Sequence, residues 1–362
     1  MMQVVTTASR PPGLRLDELV RELPMAAQIA GDPATRVGGV RSDSRAVQAG
    51  ELFVARRGQK TDGAAYVPQA VARGAAAILA GRGALDPAAA RVPIVFVDDP
   101  AAALSFAASA VYGHPSFSLD VIGITGTNGK TTTAHLVRAA VDGALGATSC
   151  GVLGTLGHSF GAWEASAEHT TPEADEVARV LAEMRARGAT HAAMEVSSHA
   201  LALGRVRAVR FGVAALTNLT QDHLDFHGSM GAYAEAKAKL FLGAGPGAVV
   251  LNVDDAFGRD LVPRVHAPLV RVSARPGTEP AHAEIAPRVA RGDARGTEAL
   301  VRTPAGDVRL RSPLVGAHNL ENLLVALGVA SALELDLDRA ADGLSLATAV
   351  AGRLERCDGA AD

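Results

Sequence analysis

Lysine is nearly missing from this chain: of its 35 Lys and Arg residues only Lys60, Lys130, Lys237 and Lys239 are lysine. Arginine therefore supplies positive charge wherever charge alone is wanted. A retained lysine marks a place suited to a compact ammonium on a flexible stem, which can also lose its proton. Cysteine is scarcer still. Cys150 and Cys357 lie far apart and outside any CxxC or Cys/His pattern, which argues against a zinc site and a disulfide framework and fits a reducing cytoplasm. Excess charge of one sign is also lacking, since a formal charge of -3 and a pI near 6.4 give no electrostatic case for a nucleic-acid partner. No long apolar run stands out. The Ala/Val-rich window 67–80 is broken by Gln69, Arg73 and Gly74, and residues 1–12 have no apolar core after basic residues, so neither a membrane span nor a signal peptide is expected.

At 362 residues the chain exceeds one typical core, and domains of roughly 100–200 residues predict two or three. Up to residue 117 short strands at 51–55 and 93–97 alternate with alanine-rich helical stretches at 66–73 and 101–112, and the segment 113–118 (GHPSFS) reads as a breaker. From residue 119, apolar runs that end in polar residues alternate with helical stretches, the pattern of a parallel sheet wrapped by helices. The clearest runs are 119–125, 191–196, 211–217 and 248–253, and each leads at once into chemically capable side chains. Ligands of open α/β sheets gather beyond the carboxyl ends of the strands, so one cleft can serve all four. The region 264–311, rich in Pro, Arg and Gly, predicts short strands and turns. A helix then opens at Gly316, with Leu320, Leu323, Leu324 and Leu327 on one face.

A strand feeding GTNGKT at 126–131 and then a helix surrounds an anion with backbone N–H groups, with Lys130 for the β/γ phosphates and the Thr131 hydroxyl for magnesium. The strict Walker pattern places glycine five residues before Gly129, where this chain has Ile124, so the loop is a variant. A ligand-free glycine turn is the alternative, and the preceding strand, Lys130 and Thr131 together weigh against it. Glu195 ends an apolar strand, from which a carboxylate reaches a metal at the phosphate loop, although many strand-end acids are solvated caps. In the helix after the polar run 218–227, Tyr233, Lys237, Leu240 and Phe241 share one face and Lys239 points elsewhere. Lys237 is then either a desolvated amine with a lowered pKa or a lysine whose stem is buried and whose amine reaches water.

GTNGKT at 126–131, TTP at 170–172, MEVSSHAL at 194–201, TNLTQDHLDFH at 217–227, YAEAKAKLF at 233–241 and GRLE at 352–355, with SDSR at 42–45 ahead of them, resemble the Mur ligases. Among these they resemble the type that adds a diamino acid to UDP-MurNAc-L-Ala-D-Glu. The resemblance implies an α/β fold: a small amino-terminal UDP-MurNAc-binding domain at 1–117 and a mainly parallel-sheet ATPase domain at 118–351. Residues 352–362 would form the hinge to the family's third, Rossmann-like domain, whose Asp-Asn-Pro-Arg motif has no counterpart here. It implies a cytoplasmic, ATP-dependent ligase of peptidoglycan precursor synthesis, serving cell shape and division, that forms an acyl phosphate before the amine attacks. Meso-diaminopimelate is the expected amino acid. An L-lysine-adding type, a folylpolyglutamate synthase and a non-catalytic nucleotide-binding module are the alternatives.

Carried over by motif, Gly126, Thr127, Asn128, Gly129, Lys130, Thr131 and Thr132 bind the ATP phosphates, Asn319 and Asn322 lie on the adenine side, and Arg353 lies near the nucleotide. Two magnesium ions are implied, one held by Thr131 and Glu195, the other by His223 and a carbamylated Lys237. Lys130, Glu195, His223 and Lys237 are the catalytic set. Ser42, Ser44 and Arg45 would hold the uridine diphosphate end, and Thr170, Thr171, Ser197 and Arg205 the muramoyl-peptide and phosphate portion. Thr170 and Thr171 before Pro172 also read as a helix start, and His199 as a residue that orients its neighbours.

Overall fold

The computed structural model describes residues 13–58 and 62–347. Lys60, Arg353 and the 352–362 segment lie outside the described residues. The chain forms two compact units.

The first unit comprises the described residues up to Ser118 together with Pro172–Ala186 and Gly204–Val209. A small ladder pairs β1 (Leu14–Arg15) with β3 (Arg36–Val37). The main sheet has the order β2 (Ala27–Ala30), β7 (Ile94–Val97), β6 (Ala77–Gly81), β5 (Leu52–Ala55), β4 (Val40–Arg41). Its pairings are parallel except that of β2 with β7. Strands covered on both faces read as continuous apolar runs, and Leu52–Ala55 and Ile94–Val97 are buried throughout. Helix Pro100–Val111 is started by Asp99, whose side chain accepts the Ala102 N–H at 3.0 Å, with Pro100 in the first turn. Ala103, Leu104, Ala107 and Ala108 of this helix share a core with Leu52, Val54, Leu79 and Val95, and Ala174 and Ala178 of helix Ala174–Ala186 join it. This unit thus takes in two segments from beyond residue 117, which apolar periodicity alone gives no means of assigning.

The second unit is built on an eight-stranded sheet of order β11 (Trp163–Ala165), β10 (Gly157–Phe160), β9 (Cys150–Gly154), β12 (His191–Glu195), β8 (Asp120–Thr125), β13 (Val213–Leu216), β14 (Ala248–Asn252), β15 (Leu269–Val272). From β9 to β15 all pairings are parallel. The β9–β10–β11 edge is antiparallel, a hairpin extension that the sequence reading did not anticipate. Because β8 lies between β12 and β13, the chain crosses over in both directions from it. That switch leaves a crevice at the strands' carboxyl ends. The four apolar runs at 119–125, 191–196, 211–217 and 248–253 are four of these parallel strands.

The region 264–311 corrects the expectation of short strands and turns. After β15 it forms a three-stranded antiparallel sheet of β16 (Ala286–Asp293), β17 (Gly296–Thr303) and β18 (Gly306–Ser312), strands of eight, eight and seven residues. Only one face of β17 is buried, by Thr297, Ala299, Val301 and Thr303. The two-residue period is weak in the sequence because threonines take two of the buried positions while Leu300 lies on the opposite face.

Helices Lys130–Leu145, Ala317–Ala332 and Leu337–Leu346 close the core of the second unit. Two glycines set a close helix approach: a Cβ on Gly143 would lie 2.6 Å from Gly343 Cα, and one on Gly343 would run into the Ala139 carbonyl oxygen. Gly343→Ala is therefore expected to destabilise the protein by about 1–3 kcal/mol, despite alanine's higher helix propensity. A urea melt with a lower midpoint and an unchanged slope would bear this out, and a higher midpoint would refute it. Among the described residues no helix is long and apolar enough to cross a membrane.

Candidate active site

The loop after β8 is shaped by two glycines. Gly126 has φ 156° and Gly129 φ 84°; a Cβ on the first would strike Thr217 Oγ1, and one on the second Asn322 Oδ1. Only glycine meets both demands. The loop is tied down from the end of β13. Thr127 N donates to Asn218 O (2.9 Å), Asn128 N to Asn218 Oδ1 (3.0 Å), and Thr217 Oγ1 to Asn128 O (2.6 Å). Lys130 opens helix Lys130–Leu145, and its Nζ donates to the carbonyls of Gly126 and Thr127, both at 2.9 Å.

Glu195, at the end of β12, is buried. Its Oε2 accepts from Thr131 Oγ1 at 2.9 Å and from Thr155 Oγ1 at 3.2 Å, and its Oε1 accepts from Thr155 N at 2.8 Å. Gly154 makes room for this carboxylate, because a Cβ there would lie 2.8 Å from Glu195 Cδ and 2.9 Å from Cγ. Neither Gly154 nor Thr155 was anticipated. A missing side chain whose space is used by a residue 41 positions away leaves no mark in local sequence.

A cavity of about 520 Å³ gathers the loop residues Thr127 to Thr132 with Thr155, Thr170, Glu195, Asn218, His318, Asn319, Glu321 and Asn322. It brings together most of the predicted nucleotide residues and the Thr131–Glu195 pair. Asn319 and Asn322 are buried and largely engaged: Asn319 Nδ2 donates to Val315 O (2.8 Å), and Asn322 Oδ1 accepts from Thr133 Oγ1 (3.2 Å). Glu321 escaped the sequence reading. It accepts from Asn252 Nδ2 at 3.2 Å, and burial, with Asp254 next in effect, raises its pKa.

His223 and Lys237 do not line this cavity. In helix Met230–Leu242, Lys237 is 1% exposed, with its Nζ 2.8 Å from Gly126 O as donor and 4.6 Å from the centre of the Tyr233 ring. The amine is thus turned inward onto the phosphate loop and not led out to solvent. Burial, followed by the nearby Lys130 charge, lowers its pKa to about 6. His223 is exposed and takes a left-handed conformation at φ 52°. Its Nε2 lies 3.5 Å from Asp222, and its ring packs edge-on to His199 at 4.8 Å. His199 also meets the rings of Phe226 and His227. Among the described residues no three His, Cys, Asp or Glu side chains converge as a metal set.

The remaining candidates divide between the units. In the first, Ser42 donates through both its N–H and its Oγ to Asp175, and Ser44 Oγ donates to Gln69 Oε1 at 2.6 Å. Arg45 pairs with Asp43 at 2.7 Å, and Arg205 with Glu173 at 2.7 Å, an acid that also takes Arg56 at 2.9 Å. In the second, Thr170 Oγ1 lies 3.1 Å from Thr155 Oγ1. Thr171 is buried, donates to Glu195 O at 2.8 Å and accepts from Ser197 N at 2.9 Å, which pins the TTP segment to the end of β12. Ser197 also caps helix Ser198–Ala202 through Ala200 N at 3.2 Å.

A central parallel strand running into a glycine loop, a lysine and threonine opening the next helix, and an acid at the neighbouring strand end define a P-loop-type α/β nucleotide-binding protein. Comparison with known families narrows this class. Residues 124–330 match the Mur ligase middle domain and 36–112 the description "Mur ligase family, catalytic domain". The chain belongs to the Mur ligase family.

Its relatives include the UDP-N-acetylmuramoyl-L-alanyl-D-glutamate--2,6-diaminopimelate ligases of Streptomyces coelicolor and Pseudomonas aeruginosa. The first is 42% identical over 95% of this chain and 66% of its own length, the second 45% identical over 88% and 64%. A solved structure of a ligase with the same printed name superimposes with a TM-score of 0.78 at 27% identity, over 94% of this chain and 68% of that one. The chain thus spans about two thirds of the length of the curated relatives it matches.

Proposed function

We propose that this chain acts in the ATP-dependent ligation of meso-diaminopimelate to UDP-MurNAc-L-Ala-D-Glu, a cytoplasmic step of peptidoglycan precursor synthesis. The observation that carries the reading is the Thr131 Oγ1–Glu195 Oε2 contact of 2.9 Å beside a phosphate loop with Lys130, in a chain whose relatives bear that ligase name. Residues 1–117 serve as the UDP-MurNAc-binding domain, with Ser42, Ser44 and Arg45 at the uridine diphosphate end. Residues 118–351 serve as the ATPase domain; Thr170, Thr171, Ser197 and Arg205 serve the muramoyl-peptide and phosphate portion of the substrate.

Gly126 to Thr132 hold the phosphates of ATP through the helix amino end and the loop N–H groups other than those of Thr127 and Asn128, which Asn218 takes. Lys130 exchanges its two loop carbonyls for phosphate oxygens and offsets charge as the D-Glu γ-carboxylate approaches. Asn319 and Asn322 shape the adenine side. The Thr131 hydroxyl and Glu195 carboxylate are hard oxygen donors suited to magnesium. His223 and Lys237 suit a second ion only if the amine has become a carbamate, which supplies an anionic oxygen where an ammonium supplies none. Lys237 is fitted to that modification by a buried amine that loses its proton near pH 6, because CO2 adds to the neutral form. Bound magnesium supplies neutralisation of phosphate charge during formation of the acyl phosphate that the incoming amine attacks.

Calorimetric titration tests the reading. The chain is expected to bind ATP with magnesium, and separately UDP-MurNAc-L-Ala-D-Glu, with UDP-MurNAc-L-Ala a weaker competitor and a folate none. Competition by the folate, or equal binding of the two muramoyl nucleotides, would sink the substrate assignment.

A further inference from the structure

The hydroxyl proton of Ser42 is already committed. The Ser42 N–H donates to Asp175 Oδ2 and its Oγ–H to Asp175 Oδ1, each at 3.0 Å, so one carboxylate spans both donors. Asp175 is only 7% exposed and lies in the first turn of helix Ala174–Ala186, where the backbone dipoles favour negative charge. Burial pushes its carboxyl above the ordinary range, while the two Ser42 bonds and its own N–H pull it back. An ionised carboxylate only accepts, and a serine hydroxyl has one proton and two lone pairs. With the proton spent on Asp175, the lone pairs are what Ser42 can turn toward a ligand.

We propose that Asp175 is a positioning residue that fixes Ser42 as a hydrogen-bond acceptor for a donor on the nucleoside of the UDP substrate, either uracil N3–H or a ribose hydroxyl. The proposal rests on the reading of Ser42 as a substrate residue and gives it a polarity: Ser42 reads the nucleoside and does not donate to a phosphate.

Asp175→Asn separates polarity from anchoring. The Ser42 N–H can only donate, so it fixes the new amide with Oδ1 toward itself and Nδ2 toward Ser42 Oγ. Both tethers persist, but Nδ2 now donates to the hydroxyl, whose own proton is freed to face outward. Titrated with UDP, Asp175→Asn is expected to bind about tenfold more weakly than wild type, the size of one hydrogen bond. ATP affinity and melting temperature should be unchanged, and the substitution should have no further effect in a Ser42→Ala background.

Wild-type UDP affinity in Asp175→Asn, with Ser42→Ala weakened, overturns the polarity and leaves Ser42 in the site. Wild-type affinity in Ser42→Ala removes Ser42 from the site and the proposal with it. A second measurement does not depend on the folding of the Asp175 variant. Wild type and Ser42→Ala are titrated with UDP, N3-methyl-UDP, 2′-deoxy-UDP and 3′-deoxy-UDP. One analogue should bind wild type about tenfold more weakly than UDP does yet match UDP on Ser42→Ala, and that analogue names the donor. The absence of any such analogue overturns the proposal.

Discussion

Lys237→Arg should lower magnesium-dependent phosphoryl transfer from ATP to UDP-MurNAc-L-Ala-D-Glu by roughly 100- to 1,000-fold, the range for removing one group that stabilises transition-state charge. Arginine is always charged, so a role for Lys237 as a cation predicts little change. A role as a carbamate predicts near-complete loss, because guanidinium does not form the adduct. Transfer can be scored by trapping the acyl phosphate with hydroxylamine. Labelled bicarbonate gives an independent readout: a carbamate carbon resonance in wild type, absent in the variant, that fades as pH falls through about 6, where the amine protonates.

The same pKa has a consequence for stability, with a definite sign. Folding depresses it from 10.5 to about 6, so between those values the unfolded chain binds more protons and stability rises with pH. Above the unfolded value the buried neutral amine carries no such penalty. As pH falls toward the folded value the penalty grows. Lys237→Met, in buffer free of CO2, should therefore melt higher than wild type at pH 7 while losing transfer activity. A lower melting point at pH 7 would contradict the lowered pKa.

Gly154→Ala is the second substitution expected to have a large effect, and it changes no polar atom. Its methyl group would occupy the space of the Glu195 carboxylate, 2.8 Å from Cδ, and Glu195 is held by three hydrogen bonds from Thr131 and Thr155. Displacing it should weaken ATP binding in the presence of magnesium by about 10- to 100-fold, equivalent to losing one or two charge-assisted bonds. ATP binding in EDTA should be little affected, and so should UDP binding. If ATP affinity with magnesium survives, Glu195 is not part of the ion's site.

How much of this was legible in the sequence follows from the range of each interaction. The strand–loop–helix around Lys130 is written in contiguous residues, and so is the apolar face that buries Tyr233, Lys237, Leu240 and Phe241. Those readings needed only local periodicity. The inward turn of the Lys237 amine onto Gly126 O joins residues 111 positions apart, and periodicity alone favoured an amine that reaches water. Asp175 carries no local signal of its role, since its hold on Ser42 spans 133 positions. Glu321 was passed over for a similar reason, lying between two asparagines that a motif had already claimed. The 264–311 region misled through its Pro, Arg and Gly content, and in β17 threonines at buried positions with Leu300 on the other face blurred the alternation.

The first unit is discontinuous along the chain, since it takes Ala174 and Ala178 from a helix encoded well after residue 118. A ribosome therefore releases residues 13–118 with part of their apolar surface uncovered. Elongation at roughly 5–20 residues per second leaves an interval on the order of ten seconds before Val209 emerges. During it the sheet of β2, β7, β6, β5 and β4 has every strand but lacks a helix that covers it. Co-translational completion of this unit must then wait for β8 to β12 of its neighbour to be synthesised.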